Sequence, residues 1–181
     1  EIRFKIKNEA GELVEPPEWE EKKLGEIYKI VVGGTPSTSK EEYWGGEIGW
    51  LSSGDLKNSI VKKPSKYITK DGLQHSSAKL IPENTTLLAM TGATLGKVGF
   101  LNFECSGNQS VAAFVNEKQC SKYIYYLLMY SQNEIKSFAG GAAQKGINKK
   151  SMEGLTFSFP SLREQDKIAD FLSAIDTKIE A

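Results

Sequence analysis

Residues 87–115 read LLAMTGATLGKVGFLNFECSGNQSVAAFV, and this stretch decides the fold class. Three short apolar runs, at 87–90, 98–101 and 111–115, are separated by turn residues: Thr91-Gly92, Gly96-Lys97 and Ser106-Gly107-Asn108-Gln109. Apolar runs of four or five residues bounded by Gly, Asn and Ser read as strands. Further along, Ile124, Leu127, Leu128, Ile135 and Phe138 recur mostly at helical spacing, which predicts a helix over 121–138 ended by Gly140-Gly141. A last strand over 156–159 is stopped by Pro160. Thr69 with Asp71 marks a short capped helical turn. Before it, Leu24, Ile27, Tyr28 and Val31 follow a helical spacing that Gly33-Gly34 would stop. A polar loop over 35–40, a turn at 43–46 and a strand at 48–51 follow. The expected class is α+β: a β-rich globular body with short helices.

The two ends differ from the body. Residues 1–18 read as an extended, acidic leader, in which Ile2, Phe4 and Ile6 alternate with charged residues before Pro16-Pro17. At the other end, Ser161-Leu162-Arg163-Glu164 matches a Ser-x-x-Glu capping box. Behind it Ile168, Leu172, Ile175 and Ile179 are spaced four, three and four, as on the seam of a coiled coil. This helix either packs on its own domain or begins a longer coiled coil that needs a partner. The expected organisation is a leader over 1–18, a body over 19–160 and the start of a coiled-coil helix over 161–181.

The chain has 181 residues, 39% of them hydrophobic and 25% charged, enough for one packed core. No apolar run approaches the roughly 20 residues a membrane helix needs, so a spanning or secreted protein is not expected. The first residue is Glu1 rather than Met, so a trimmed start is expected. Two cysteines without a CxxC spacing suggest a reduced, cytoplasmic setting. Twenty-three basic residues balance 23 acidic ones, which taken whole argues mildly against a nucleic-acid binder. The distribution points the other way. Residues 55–79 hold six lysines against Asp55 and Asp71, and residues 122–150 hold five against Glu134, a local +4 each. A basic middle between acidic ends suggests a surface for a polyanion, or else solvated loops. Arginine occurs only at Arg3 and Arg163, so base reading in the middle would fall to Lys, Asn, Gln, Ser, Thr or backbone groups.

The sequence offers no good catalytic set. His75 is the only histidine and has no ligand partners at metal spacing, so no metal is expected. The run Gly92-Ala93-Thr94-Leu95-Gly96-Lys97-Val98 is one residue short of a phosphate-binding loop and has Val98 where a hydroxyl should hold magnesium. It remains a tight loop whose amides and Lys97 suit a DNA phosphate. Glu20-Glu21-Lys22-Lys23 lacks the preceding aspartate of a two-metal nuclease. No glycine-rich cofactor turn follows a strand, so neither an enzyme nor a cofactor is expected.

An ordered series of short motifs carries a resemblance. Trp19, Leu24-Gly25-Glu26-Ile27, Gly33-Gly34-Thr35-Pro36-Ser37, Tyr43-Trp44-x-Gly46-x-Ile48-x-Trp50 and Gly54-Asp55-Leu56 open it. Ile68-Thr69-x-x-Gly72, Ala93-Thr94-x-Gly96-x-Val98, Asn108-Gln109, Tyr123 to Leu127, Gly141 and Ile147 continue it. Pro160 and Gln165-x-x-Ile168-Ala169-x-x-Leu172 close it. From Trp19 to Ala181 the chain resembles a target recognition domain of the specificity subunits of type I restriction-modification systems. A complete subunit has two such domains, each followed by a long helix, so this chain is similar to a half subunit or a fragment.

The resemblance implies a non-catalytic DNA reader for one half of a bipartite target. Separate methyltransferase and restriction subunits would do the chemistry. Candidates for phosphate contact are Lys40, Lys97, Lys145, Lys149 and Lys150. Candidates for base reading are the loops at 37–40 (Ser37, Thr38, Lys40) and 144–148 (Gln144, Asn148), with Lys62 and Lys63. Asn108-Gln109 is read as bracing a turn, and Tyr43, Trp44 and Trp50 as core. Ile168, Leu172, Ile175 and Ile179 would pair with another helix, from a second copy or from the other half of a subunit. The rival readings are a module that only docks on a methyltransferase subunit, and a nuclease acting alone.

Overall fold

A computed structural model describes residues 3–116, 118–139 and 146–180. In chain order the strands and α-helices are β1 (Ile6–Lys7), β2 (Leu13–Val14), β3 (Glu20–Lys23), α1 (Leu24–Ile27), β4 (Lys29–Val32), β5 (Trp44–Leu51), β6 (Ser59–Ile60), β7 (Lys66–Ile68) and α2 (Lys70–Gln74). There follow β8 (Thr85–Ala89), β9 (Val98–Leu101), β10 (Ser106–Gly107), β11 (Val111–Val115), α3 (Ser121–Tyr130), α4 (Gln132–Phe138), α5 (Lys149–Glu153), β12 (Thr156–Phe159) and α6 (Leu162–Glu180). The class is α+β, as expected.

The central sheet has the order β4-β11-β8-β9-β6. Its inner strands are buried on both faces, which is why they read as continuous apolar runs rather than as alternation. Leu88, Val98, Phe100, Ala112 and Phe114 face one core, which also contains Ile124, Leu128 and Ile135 from α3 and α4. Leu87, Ala89, Leu101, Val111 and Ala113 face a second core with Leu51, Leu56 and Ile81. Neighbours along a strand point to opposite faces, so each run serves both cores. Each fully buried Leu contributes about 1.5–3 kcal/mol.

Several local expectations are corrected. The spacing of Leu24, Ile27, Tyr28 and Val31 gives one helical turn, after which the chain enters β4, because Lys29–Val32 finds a ladder on β11. The helix over 121–138 is two helices that meet at Ser131. Phe138, taken as part of its apolar stripe, is exposed. The leader does not run on as an extended strand: β1 and β2 form a hairpin, closed where the Glu12 amide donates to Asn8 Oδ1 at 2.9 Å. The α2 turn forms as read, with Thr69 Oγ1 accepting from the Gly72 amide.

The capping box is not formed. Ser161 Oγ is buried without a partner among the described residues. Glu164 is drawn away because stronger donors compete for it. Its fully buried carboxylate accepts from Arg3 Nε at 3.0 Å, Arg3 Nη2 at 3.3 Å, Trp19 Nε1 at 3.2 Å and the Phe4 amide at 3.4 Å. Arg163 and Lys167 donate to the carbonyls of Lys7 and Lys5, and Phe4 contacts Phe171. The leader thus lies along the first turns of α6. On another side, Tyr126 Oη donates to Asp176 Oδ2 at 2.7 Å and joins α3 to α6. Ile168 packs on the main core, whereas Ile175 is 38% and Ile179 77% exposed. The seam therefore divides: its start belongs to the body and its end is open. No helix among the described residues is long and apolar enough to cross a membrane.

Candidate nucleic-acid interface

The central sheet has two ends, and its registers decide which loops meet at each. β11 is antiparallel to β4 (Ala112 opposite Val32) and to β8 (Val111 opposite Ala89). β8 is antiparallel to β9 (Leu88 opposite Val98), and β6 is parallel to β9 (Ser59 opposite Gly99). One end therefore gathers the exit of β4, the entries of β9, β11 and β6, and the exit of β8. These are the loop starting at Gly33, the residues before Val98, the turn at 108–110, the approach through Lys57 and Asn58, and the segment starting at Met90.

Backbone contacts fix these loops against one another. Gly33 and Gly34 donate to the carbonyls of Val111 and Gly107 at 3.1 and 2.8 Å. A Cβ on Gly33 would lie 2.1 Å from the Gly107 oxygen, so only glycine permits this approach. Thr35 Oγ1 then donates to Gln109 Oε1 at 2.6 Å, Thr91 Oγ1 to Ser110 Oγ at 2.7 Å, and the Ser110 amide to Asn108 Oδ1 at 3.0 Å. Thr91 also bridges to Gly146, and the Ile147 amide donates to the Met90 carbonyl. That link brings Asn148 and α5 to the same end. Thr91, Gly92, Gln109, Ser110 and Asn148 line an open groove of about 930 Å³ there.

The candidates distribute as follows. Ser37, Thr38 and Lys40 are exposed on the loop leaving β4. The Ser37 carbonyl accepts from Trp44 Nε1 at 3.1 Å, which ties this loop to β5. Lys40 Nζ donates to Tyr43 Oη at 2.9 Å and sits 4.7 Å from the ring centroid. That hydrogen bond raises the lysine's pKa and favours its charged form. Lys97 precedes β9 at the same end. Lys149 and Lys150 open α5; Lys149 reaches Glu153 at 3.6 Å, and Lys150 is exposed. Asn148 caps this helix, its Oδ1 accepting from the Ser151 amide at 2.9 Å, so its carbonyl oxygen is committed to the backbone. Gln144, Lys145 and the Gly140-Gly141 stop lie outside the described residues. Lys62 and Lys63 are not brought to this end, because β6 runs parallel to β9 and carries them past Leu101.

Other readings of the polar and aromatic residues also find their place. Asn108 and Gln109 brace the turn, and Tyr43 and Trp50 are buried, with Trp50 Nε1 donating to the Gly34 carbonyl. Sequence reasoning missed Thr35, Thr91 and Ser110 as groups exposing hydroxyls or bracing this end. It also missed Lys57 and Lys136; Lys136 passes close to Gly96 beside Lys97. The Gly33-Gly34-Thr35 turn was the available signal, since two adjacent glycines imply a close backbone approach.

The arrangement suits binding rather than bond chemistry. Among the described residues no three His, Cys, Asp or Glu side chains converge as a metal site. Burial pushes the Cys105 thiol up to about 12 and raises that of Cys120, so neither thiol is primed as a nucleophile. What converges is hydroxyl, amide and ammonium groups on loops held by a rigid sheet. These are donors and acceptors for phosphates and base edges.

Residues 16–181 match the family model described as type I restriction modification DNA specificity domain. The chain is 34% identical over 167 residues to the EcoR124I/EcoR124II specificity subunit of Escherichia coli, covering 88% of this chain and 41% of that subunit. It is 30% identical over 171 residues to the MjaIX specificity subunit of Methanocaldococcus jannaschii, covering 91% and 39%. It spans about two fifths of the length of these relatives. Among solved structures, it superposes on a chain from a study of complex assembly and conformational transition of the type I R-M system with a TM-score of 0.73 at 20% identity. That match covers 96% of this chain and 42% of the other. The HsdS subunit from Thermoanaerobacter tengcongensis gives 0.70 at 20% identity, covering 96% and 40%. At these identities the structures share the fold.

Proposed function

The chain belongs to the type I restriction modification DNA specificity family, and on that premise we propose that it reads duplex DNA with the sheet end formed by 33–40, 90–97, 108–110 and 146–150. The observation that carries this is the convergence of four polar segments from distant parts of the chain, three of them bearing lysine, onto one end of the sheet. Lys40, Lys97, Lys149 and Lys150 hold phosphates as point charges. The intervening hydroxyls and amides of Ser37, Thr38, Thr35 and Gln109 approach base edges. Gln144 and Lys145, which precede Gly146 in the chain, are further candidates for contact with the DNA.

On this reading the chain recognises one half of a bipartite target and leaves methylation and cleavage to methyltransferase and restriction subunits. Relatives named as specificity subunits support a non-catalytic role. The open end of the α6 seam, with Leu172, Ile175 and Ile179, pairs with a second helix and sets the distance between two half-sites.

Salt-titrated DNA binding tests this function. The wild type should lose affinity linearly in log salt, with about 0.9 of slope per phosphate contacted. Replacing Lys40, Lys97, Lys149 and Lys150 by Ala should reduce the slope by up to about 3.6. A chain that docks on a methyltransferase but shows no salt-dependent DNA affinity would establish the interaction-module reading instead.

A further inference from the structure

Lys62 and Lys63 are left unexplained by the reading end. They follow β6, the edge strand of the central sheet, which among the described residues pairs only with β9. Lys57 precedes the same strand, at the corner where the reading end meets this edge. All three lysines are exposed, and among the described residues none forms an ion pair. Together with Ser59, Ile60 and Ser65 they line a shallow groove of about 460 Å³. Among the described residues Asp55 is the only carboxylate lining it. Its Oδ2 already accepts from the Ser52 amide at 2.7 Å, Ser52 Oγ at 3.0 Å and Ser65 Oγ at 2.7 Å. Asp55 and the three lysines sum to a formal +2, and among the described residues Asp55 forms no ion pair with them. Lys66, next along the chain, is turned to the Trp44 ring instead, 5.4 Å from its centroid.

We propose that the β6 edge, through Lys57, Lys62 and Lys63, binds the phosphate backbone of duplex DNA flanking the recognised bases. This rests on the DNA-reading function above and extends its footprint around the side of the body. Lys62 lies five residues after Lys57, a reach of at most about 17 Å at 3.3 Å per residue. That length matches roughly five phosphates on one strand at 3.4 Å of axis each. Lysine ammonium groups are point charges without the planar fork that discriminates bases. Contacts from an edge strand beside the reading end therefore add affinity and fix the direction of the duplex, but carry no sequence information.

The test compares wild type with Lys57→Ala/Lys62→Ala/Lys63→Ala. Two readouts are used: the salt slope on a duplex of about 30 base pairs with a randomised centre, roughly 100 Å long, and the sequence enriched from that pool. The expected result is a slope lower by about 2.7 with the enriched sequence unchanged. The corresponding triple Lys→Arg variant should keep the wild-type slope. An unchanged slope in the Ala variant, against a steep wild-type slope, overturns the proposal. A changed enriched sequence overturns it too, because the edge would then read bases. A wild type with no salt-dependent affinity refutes the DNA-reading function itself, which separates that failure from failure of the edge alone.

Discussion

Replacing Arg3 by Ala should be among the most destabilising single changes available in the chain, although Arg3 lies in the leader rather than in either core. The reason is what it leaves behind. The Glu164 side chain is 0% exposed, while that of Arg3 is 25% exposed. Arg3 supplies two of the four donors to the carboxylate and the cation that balances it. Without it, among the described residues, a buried carboxylate retains only the Trp19 indole and the Phe4 amide as donors. Removing one partner of a buried pair costs about 3–5 kcal/mol, because the remaining charge is uncompensated. The opposite change, Glu164→Gln, should cost less, about 1–3 kcal/mol. Arg3 is partly hydrated and keeps Pro16 and Pro17 carbonyls as acceptors. The double variant should therefore be more stable than the sum of the single effects predicts, with a coupling of about 0.5–3 kcal/mol. Urea denaturation with a shared slope across the four proteins measures this cycle. Arg3→Ala within about 1 kcal/mol of wild type, or an additive double variant, would refute the reasoning.

Three further outcomes follow from particular groups. Burial raises the Cys105 pKa from its ordinary 9.0 to about 12, so the folded state holds this proton more tightly than the unfolded one. Its contribution is complete below pH 9 and is lost as pH climbs towards 12, at about 1.4 kcal/mol per pH unit. Cys105→Ala should flatten the fall in urea midpoint between pH 9 and 10, before the buried Tyr28 and Tyr123, also raised by burial, contribute; parallel curves for the two proteins would contradict this. Asn148→Ala removes the α5 cap and should cost about 1 kcal/mol in thermal or urea unfolding, whereas Asn148→Asp should cost little; equal losses in the two variants would argue against the capping role. Leu172→Asp with Ile175→Asp should leave the body folded and abolish self-association by light scattering; an unchanged solution mass would count against helix pairing through this seam.

Much of the fold was legible because the decisive strands are bounded by unambiguous turns. The strands at 98–101, 111–115 and 156–159 fall where the sequence places them. The misreadings have physical causes. The spacing of Leu24, Ile27 and Tyr28 satisfies a helical stripe, but the next residues find a ladder on β11, a partner about eighty residues away. Ser161 and Glu164 carry the capping pattern, yet a partly buried cation and an indole N–H are better donors for a carboxylate than a frayed helix amide. The candidate site was read from the sequence as polar loops with lysines, but its assembly was not legible. Which loops share an end depends on the strand order β4-β11-β8-β9-β6, in which chain neighbours are rarely sheet neighbours. That order brings the start of the loop leaving β4, the residues before β9 and, through the Thr91–Gly146 bridge, the start of α5 to one end, and it carries Lys62 and Lys63 away from it.

A hydrogen-exchange footprint on duplex DNA probes the reading end most directly, since amide protection reports local order segment by segment. DNA should slow exchange at 33–40, 90–97, 108–110 and 146–150, and leave the opposite sheet end on the side away from β6, at 28–29 and 115–116, unchanged. Protection confined to that opposite end, or none at the four segments under conditions where DNA is bound, would contradict the account.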